Sequence, residues 1–118
     1  MNEVTLIGQL VVDPTYHCTV HGQDLTRFEL RTSSEVNTRT SATTAHHCIA
    51  WGPAALDLHK HLHRGDRLLV RGELLYRLHK WQRGKTYRVP EIHIREYSYL
   101  GKGGTITFTH SNKHLCND

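Results

Sequence analysis

The sequence has few cysteines and no long apolar run, and these two absences exclude several classes of protein. Its 118 residues contain only Cys18, Cys48 and Cys116, an odd number with no C-x-x-C pair. This spacing argues against a disulfide framework and fits a reducing compartment. No stretch approaches the roughly 20 apolar residues that a membrane span needs, and the N-terminus lacks the features of a signal peptide. We therefore expect a single-domain cytoplasmic protein with no membrane partner.

The residue groupings of an enzyme or a metal site are missing as well. No nucleophile is grouped with a base, and no glycine-rich phosphate loop follows a strand. His59 and His63 lie four residues apart, a helical spacing that can bind a metal, but the sequence fixes no third ligand. Polar residues on an exposed helix face explain these histidines better. We expect no catalytic residue, no cofactor and no metal.

Positive charge is concentrated in one part of the chain. The formal net charge is +4, but residues 67–95 contain eight Lys or Arg against two acidic residues, and the rest of the chain is slightly acidic. A basic stripe on an otherwise acidic domain favours a polyanionic partner. The alternative is a solvated charged face, the usual meaning of a charge run.

The hydrophobic pattern predicts a mostly β domain with one helix. Alternating apolar and polar residues indicate five strands, at 3–12, 25–32, 46–51, 67–81 and 87–94, and 16–20 could form a further short strand. A helix beginning at Pro53 places Ala55, Leu58 and Leu62 on one face, and Gly65 ends it. The order of strands around the helix is that of an OB-fold, a five-stranded Greek-key barrel with one α-helix between strands 3 and 4 that often binds oligonucleotides.

Five stretches follow one another in an order and at a spacing that also occur together in a known family. They are NEVTLIGQLVVDP, RFELRTS, HHCIAWG, LHRGDRLLVRGEL and KWQRGKTYRVPEI. Together they span residues 2–100 and resemble the bacterial single-stranded DNA-binding protein family. The resemblance implies an OB-fold domain over 1–100 that forms a homo-oligomer, usually a tetramer, with a dimer as the alternative. It also implies binding of single-stranded DNA without sequence preference in replication, recombination and repair, hence a nucleoid-associated location.

Residue types and the resemblance together indicate the side chains that contact DNA. Single-stranded DNA exposes base faces and phosphates, so its receptor needs aromatic rings interleaved with cations. We expect the DNA-binding residues to be Trp51, Trp81, Arg71, Arg77, Lys80, Arg83, Lys85 and Tyr87. For both tryptophans the alternative is burial, in the core or, for Trp81, in a subunit interface. By the same resemblance His46 is an oligomer-interface residue.

The chain departs from the family pattern in several places. Ala45 stands where a stacking Trp is common, and Val36 where another aromatic is frequent. Replication or repair proteins stay open as partners, but the final segment, 101–118, is unlike the family's long tail with an acidic tip, so we expect no recruitment through such a tip. Residues 105–110 alternate like an added strand, with a frayed terminus as the alternative. These departures leave two other functions open: a primosomal-type OB-fold protein acting mainly through protein partners, or an OB-fold assembly module.

Overall fold

The computed structural model describes residues 1–33 and 43–102, which are mostly strand with one helix, as predicted. The elements, in chain order, are β1 (Val4–Leu10), β2 (Thr15–Cys18), β3 (Asp24–Ser33), β4 (Thr43–Trp51), α1 (Pro53–His61), β5 (Asp66–Lys80), a 3₁₀ turn (Gln82–Gly84) and β6 (Thr86–Lys102). The strand predicted at 46–51 begins earlier, at Thr43, because residues 43–45 continue the pairing with β3. Val36 and the possible strand at 105–110 lie outside the described residues.

Backbone pairing joins five strands into a sheet that closes on itself. Strand β1 pairs with β5, β5 with β6, β6 with β4, β4 with β3, and β3 again with β1. Among the strand pairings of the described residues, only that of β4 with β6 is parallel. Strand β2 pairs with β3 on the outside of this ring. Helix α1 follows four strands in the chain but lies between the third and fourth strands of the ring, an arrangement consistent with the predicted OB-fold.

Helix α1 packs its apolar face onto the ring, as the spacing predicts. Ala55, Leu58 and Leu62 are fully buried in the core that it shares with the strands. Asp57 is also fully buried, and Tyr97 donates a hydrogen bond of 2.6 Å from its hydroxyl to the Asp57 carboxylate. A buried carboxylate needs such donors, since a polar group without partners costs free energy in the interior. The helix is therefore held by both apolar and polar contacts.

Strand β1 explains one glycine and corrects one prediction. A Cβ atom on Gly8 would lie 2.4 Å from the backbone oxygen of Arg31, so only glycine allows β1 and β3 to approach this closely. Leu10 is buried on the predicted face. The pattern also places Val12 on that face, but β1 ends at Leu10 and Val12 is exposed.

The β5–β6 hairpin extends beyond the ring, and this corrects the predicted apolar face of β5. Leu68 and Val70 are buried as expected, whereas Tyr76 and Leu78, on the same side of the strand, are 59% and 67% exposed. The cause is that β1 pairs with β5 only as far as Gly72. Leu74 still packs against the core, but from Leu75 to Lys80 the side chains of β5 are mostly exposed, so the outer parts of the two strands form an arm.

Proline 90 lies on the returning strand of this arm. The pattern predicts an edge or a bulge there, because proline has no N–H to donate to a neighbouring strand. Strand β6 pairs with β4 through Ile92 and His93, so at Pro90 its described partner is β5 alone. The position is therefore an edge.

None of the helical segments within residues 1–33 and 43–102 could span a lipid bilayer.

Candidate nucleic-acid interface

Three aromatic rings lie together near the tip of the β5–β6 arm. His79 and Tyr87 are directly paired across the two strands, with ring centroids 5.4 Å apart. Trp81 continues the same side of β5, and its centroid lies 6.3 Å from that of Tyr87. Because Trp81 is 55% exposed, it does not pack in the core of this chain. The tip of the arm thus presents accessible aromatic faces.

The turn that joins the two strands is surrounded by cations. Arg83 adopts a left-handed backbone with φ of 60°, which is uncommon for a residue other than glycine, and Gly84 follows with φ of 77°. The backbone N–H of Trp81 donates to the carbonyl of Lys85 at 2.6 Å and closes the turn. Lys80, Arg83 and Lys85 are exposed, and no described carboxylate pairs with them. Their charges are available to a polyanion.

A buried carboxylate lies at the base of the arm, beneath two guanidinium groups. Glu91 is 2% exposed, and its Oε2 atom accepts hydrogen bonds from Arg77 Nε at 2.7 Å and from Arg27 Nη1 at 3.0 Å. Burial acts to raise the pKa of this carboxyl, but the hydrogen bonds and charges of Arg77 and Arg27 outweigh burial and lower it. Glu91 is therefore an anion at neutral pH.

The indole of Trp51 is tied to the same carboxylate through a histidine. Its Nε1–H donates to Nδ1 of His93 at 3.3 Å, and the two rings are nearly parallel, 23° apart in plane. Since Nδ1 accepts this bond, the proton of the neutral imidazole is on Nε2, which lies 3.5 Å from Glu91 Oε1. Trp51 is 40% exposed. Part of its indole ring is therefore accessible, although its N–H is already hydrogen-bonded to His93.

These contacts form one continuous series that we call the hairpin row. Each member touches the next: Nη1 of Arg77 lies 3.4 Å from Nδ1 of His79 and completes the connection between base and tip. The row consists of Trp51, His93, Glu91, Arg77, His79, Tyr87 and Trp81. A groove of about 330 Å³ opens beside it, with Arg27, Arg77 and Val89 among its lining residues.

The structure brings together most of the predicted DNA-binding residues. Trp51, Arg77, Tyr87 and Trp81 are in the hairpin row, and the three cations Lys80, Arg83 and Lys85 are near or at its tip. Arg71 is separate. It shares the side of β5 that carries Arg77 and Trp81, but it lies on the wall of the ring beside β1.

Two carboxylates already pair with Arg71. Its guanidinium lies 3.2 Å from Glu96 and 3.4 Å from Glu3. Strand alternation predicts that Arg71 and Arg77 lie on the same side of β5, and they do. It does not predict where the ring ends, so it cannot separate Arg71 on the ring from Arg77 on the arm.

Sequence reasoning missed Arg27, Glu91, His79 and His93. Strand alternation predicts no more for Arg27 than the polar side of its strand, and Glu91 is one of the two acidic residues in the basic stripe. An isolated acid among eight cations is itself a signal, since it indicates a structural ion pair. The partner from β3 could not have been identified, because the β3–β6 contact is between residues 64 positions apart.

His46, the predicted interface residue, lies on β4 away from the row. Its Nε2 atom is 2.9 Å from the hydroxyl of Thr32. Burial, together with the neighbouring charge of His47, lowers the pKa of this imidazole. Beside it is a cavity of about 180 Å³ whose lining includes Ala45, Leu74 and Pro90. The interface role of His46 stays a prediction.

The sequence predicts that His59 and His63 share a helix face, but α1 ends at His61, so only His59 is helical, and both rings have other neighbours. The ring of His59 lies 5.3 Å from that of Tyr16, and Nδ1 of His63 is 4.0 Å from a carboxylate oxygen of Asp66. In the part of the chain that the structure describes, no three His, Cys, Asp or Glu side chains are grouped closely enough to hold a metal ion.

Comparison with known proteins gives a consistent result. The model of the Single-strand binding protein family matches residues 1–100. A protein named Single-stranded DNA-binding protein from Malacoplasma penetrans (strain HF-2) is 33% identical over 100 residues, which are 85% of this chain and 52% of that protein. Single-stranded DNA-binding protein 1 from Chlorobaculum tepidum (strain ATCC 49652 / DSM 12025 / NBRC 103806 / TLS) is 32% identical over 90 residues, 73% of this chain and 54% of that protein. The chain thus spans about half the length of these relatives. With most of its length matched, the chain belongs to the single-strand binding protein family.

Proposed function

We propose that the protein binds single-stranded DNA without sequence preference and that the hairpin row is its binding surface. The observation that carries this proposal is the unbroken series of contacts from Trp51 to Trp81, with a guanidinium between two accessible indoles. Each base stacked on an aromatic ring contributes roughly 1–3 kcal/mol with little dependence on base identity. Arg and Lys add phosphate contacts that are independent of sequence.

The exposure of the rings favours a single strand over a duplex. In a duplex the base faces are stacked on one another, so an indole reaches them only after unstacking. Trp81 and Tyr87 are about half exposed on an arm that leaves the ring, and a flexible single strand can follow such an arm. The cations at the turn lie beside the same path.

Titration of intrinsic Trp fluorescence with oligo-dT tests this function. Binding should quench the emission, and the logarithm of the association constant should fall with the logarithm of salt concentration, with a slope of roughly −0.7 per phosphate neutralised. A duplex of equal length is the control and should bind far more weakly. Affinity independent of salt, or equal affinity for the duplex, would contradict the proposal.

We infer that residues 1–100 are a five-stranded Greek-key OB-fold domain without catalytic activity, forming a homotetramer in the cytoplasm that protects single-stranded DNA in replication, recombination and repair. The closed ring of strands and the family membership support this inference. Light scattering of the purified protein tests the assembly, with His46→Ala as the variant expected to weaken it and His59→Ala, on the helix, as its control.

A further inference from the structure

We propose that Arg27 and Arg77 together bind one DNA phosphate and that Glu91 is the positioning residue that holds the two guanidinium groups in place. This inference rests on the proposed function and adds to it a subsite that the sequence did not indicate.

Both arginines converge on one carboxylate oxygen from different strands. Arg27 is on β3, Arg77 on β5 and Glu91 on β6, and both donor nitrogens contact Oε2, at 3.0 and 2.7 Å. The two nitrogens are therefore no further apart than the sum of these distances. A phosphate offers several acceptor oxygens over a similar span, so both guanidinium groups can reach the same phosphate.

The exposure of the three groups fixes which side faces the ligand. The Glu91 side chain is 3% exposed, whereas those of Arg27 and Arg77 are 38% and 41% exposed. The carboxylate thus lies underneath, and the guanidinium groups form the surface of the groove. A guanidinium has five N–H donors. Arg27 gives one of its nitrogens to Glu91, and Arg77 gives one to Glu91 and one to His79, so donors remain on both arginines for an anion.

The cluster of Arg27, Arg77 and Glu91 carries more positive than negative charge, which favours binding of an anion. Arg27 and Arg77 share the one Glu91 carboxylate, which leaves this three-residue cluster with one excess positive charge. The other carboxylate that lines the groove, Glu29, is paired with Arg31. Without the Glu91 carboxylate the two cations would repel each other, and two long side chains would regain rotamer freedom. Glu91 thus keeps the cations together before DNA arrives, and it lies in the row between Trp51 and Trp81.

The variant Glu91→Gln is a sharp test, because two explanations predict opposite changes in its affinity for DNA. By charge alone, removing an anion from a DNA-binding groove strengthens binding. If Glu91 positions the arginines, oligo-dT should instead bind about tenfold more weakly, the scale of one hydrogen bond to a charged group. The control is Glu29→Gln, a carboxylate beside the same groove that pairs with Arg31 at 3.3 Å. There affinity should be equal or higher.

Salt dependence shows whether the two arginines share a phosphate. The double variant Arg27→Ala/Arg77→Ala should reduce the magnitude of the salt slope by about 0.7, the value for one phosphate on a single strand, and each single variant by no more than that. Two independent contacts would give about twice that reduction in the double variant and would overturn the shared subsite. The melting temperature is measured for every variant. If Glu91→Gln lowers stability, the arginine variants still test whether the two guanidinium groups share a phosphate.

The outcomes separate this inference from the proposed function. If the wild-type protein does not bind oligo-dT, the proposed function fails. If the wild type binds and Glu91→Gln binds as tightly as Glu29→Gln or more tightly, only the positioning role fails. Weaker binding by folded Glu91→Gln, with one phosphate lost in the double arginine variant, supports the inference.

Discussion

The rings of Trp81 and Tyr87 lie on opposite sides of the hairpin turn with their centroids 6.3 Å apart and their planes inclined by 59°. Neither ring is buried, since Trp81 is 55% and Tyr87 is 47% exposed. Apolar rings that stay exposed to water add little to folding stability. We therefore explain these two rings by what they bind. Under the proposed function, these two rings on the projecting arm are the platform for unpaired bases.

Trp81→Ala should therefore weaken binding of oligo-dT by roughly 1–3 kcal/mol, the contribution of one stacked base, and leave the melting temperature nearly unchanged. The control is Leu78→Ala, which removes an exposed apolar side chain from the other side of β5. It should change neither quantity. If Trp81→Ala instead costs roughly 3–5 kcal/mol of folding stability, as loss of a core aromatic does, the ring has a structural role.

Gly72→Ala tests the close approach of β5 and β6 at the irregularity in their pairing. A Cβ atom at this position would lie 2.1 Å from the backbone oxygen of His93, and backbone cannot move aside as a side chain can. We expect a loss of folding stability of at least about 1–3 kcal/mol, the usual cost of overpacking, measured by chemical denaturation. Thr86→Ala, on the exposed arm, is the control and should stay within about 0.5 kcal/mol. A neutral effect of Gly72→Ala would show that the strands are further apart.

Stability at acid pH tests the ion pairs of Glu91. Its pKa is below the ordinary value of 4.5, because Arg77 and Arg27 stabilise the anion more than burial opposes it. A group with a depressed pKa in the folded state stabilises the fold above its unfolded pKa, and this contribution disappears as pH falls through the folded pKa. Denaturation midpoints should therefore fall more steeply below pH 4.5 in the wild type than in Glu91→Gln. Parallel curves for the two proteins would refute the coupling.

Thiol reactivity tests the burial of β4. Burial raises the pKa of the Cys48 thiol to about 12, and the side chain is 1% exposed, whereas Cys18 is exposed. Only the thiolate reacts with an aromatic disulfide reagent. In a Cys116→Ser background, one thiol should react rapidly at pH 8 and the second only after unfolding. Rapid reaction of two thiols in the native protein would mean that β4 opens readily.

The sequence predicted the parts of this molecule that depend on local periodicity. Alternation identified the strands and helical spacing identified the buried face of α1, because burial on one side of an element sets the period. The tip of the hairpin row was predictable from residue type and not from burial, since Trp81 and Tyr87 lie among the cations of 79–89 and are exposed.

The features that the sequence could not predict are those that depend on where the sheet closes. The end of the β1 contact at Gly72 leaves Tyr76 and Leu78 outside the core. The same closure separates Arg71 from Arg77 and brings Arg27 to Glu91 across the groove. No period in the sequence encodes these long-range contacts.

The most direct test of the central claim, that the hairpin row binds single-stranded DNA, uses the two tryptophans of the chain. Because the sequence has only Trp51 and Trp81, a proton–nitrogen correlation spectrum contains two indole N–H signals, and Trp51→Phe assigns them. Titration with oligo-dT should shift both signals together and saturate at the same concentration, while duplex DNA shifts neither. If oligo-dT binds and both indole signals stay unchanged, DNA lies elsewhere on the protein and the hairpin row is not its binding surface.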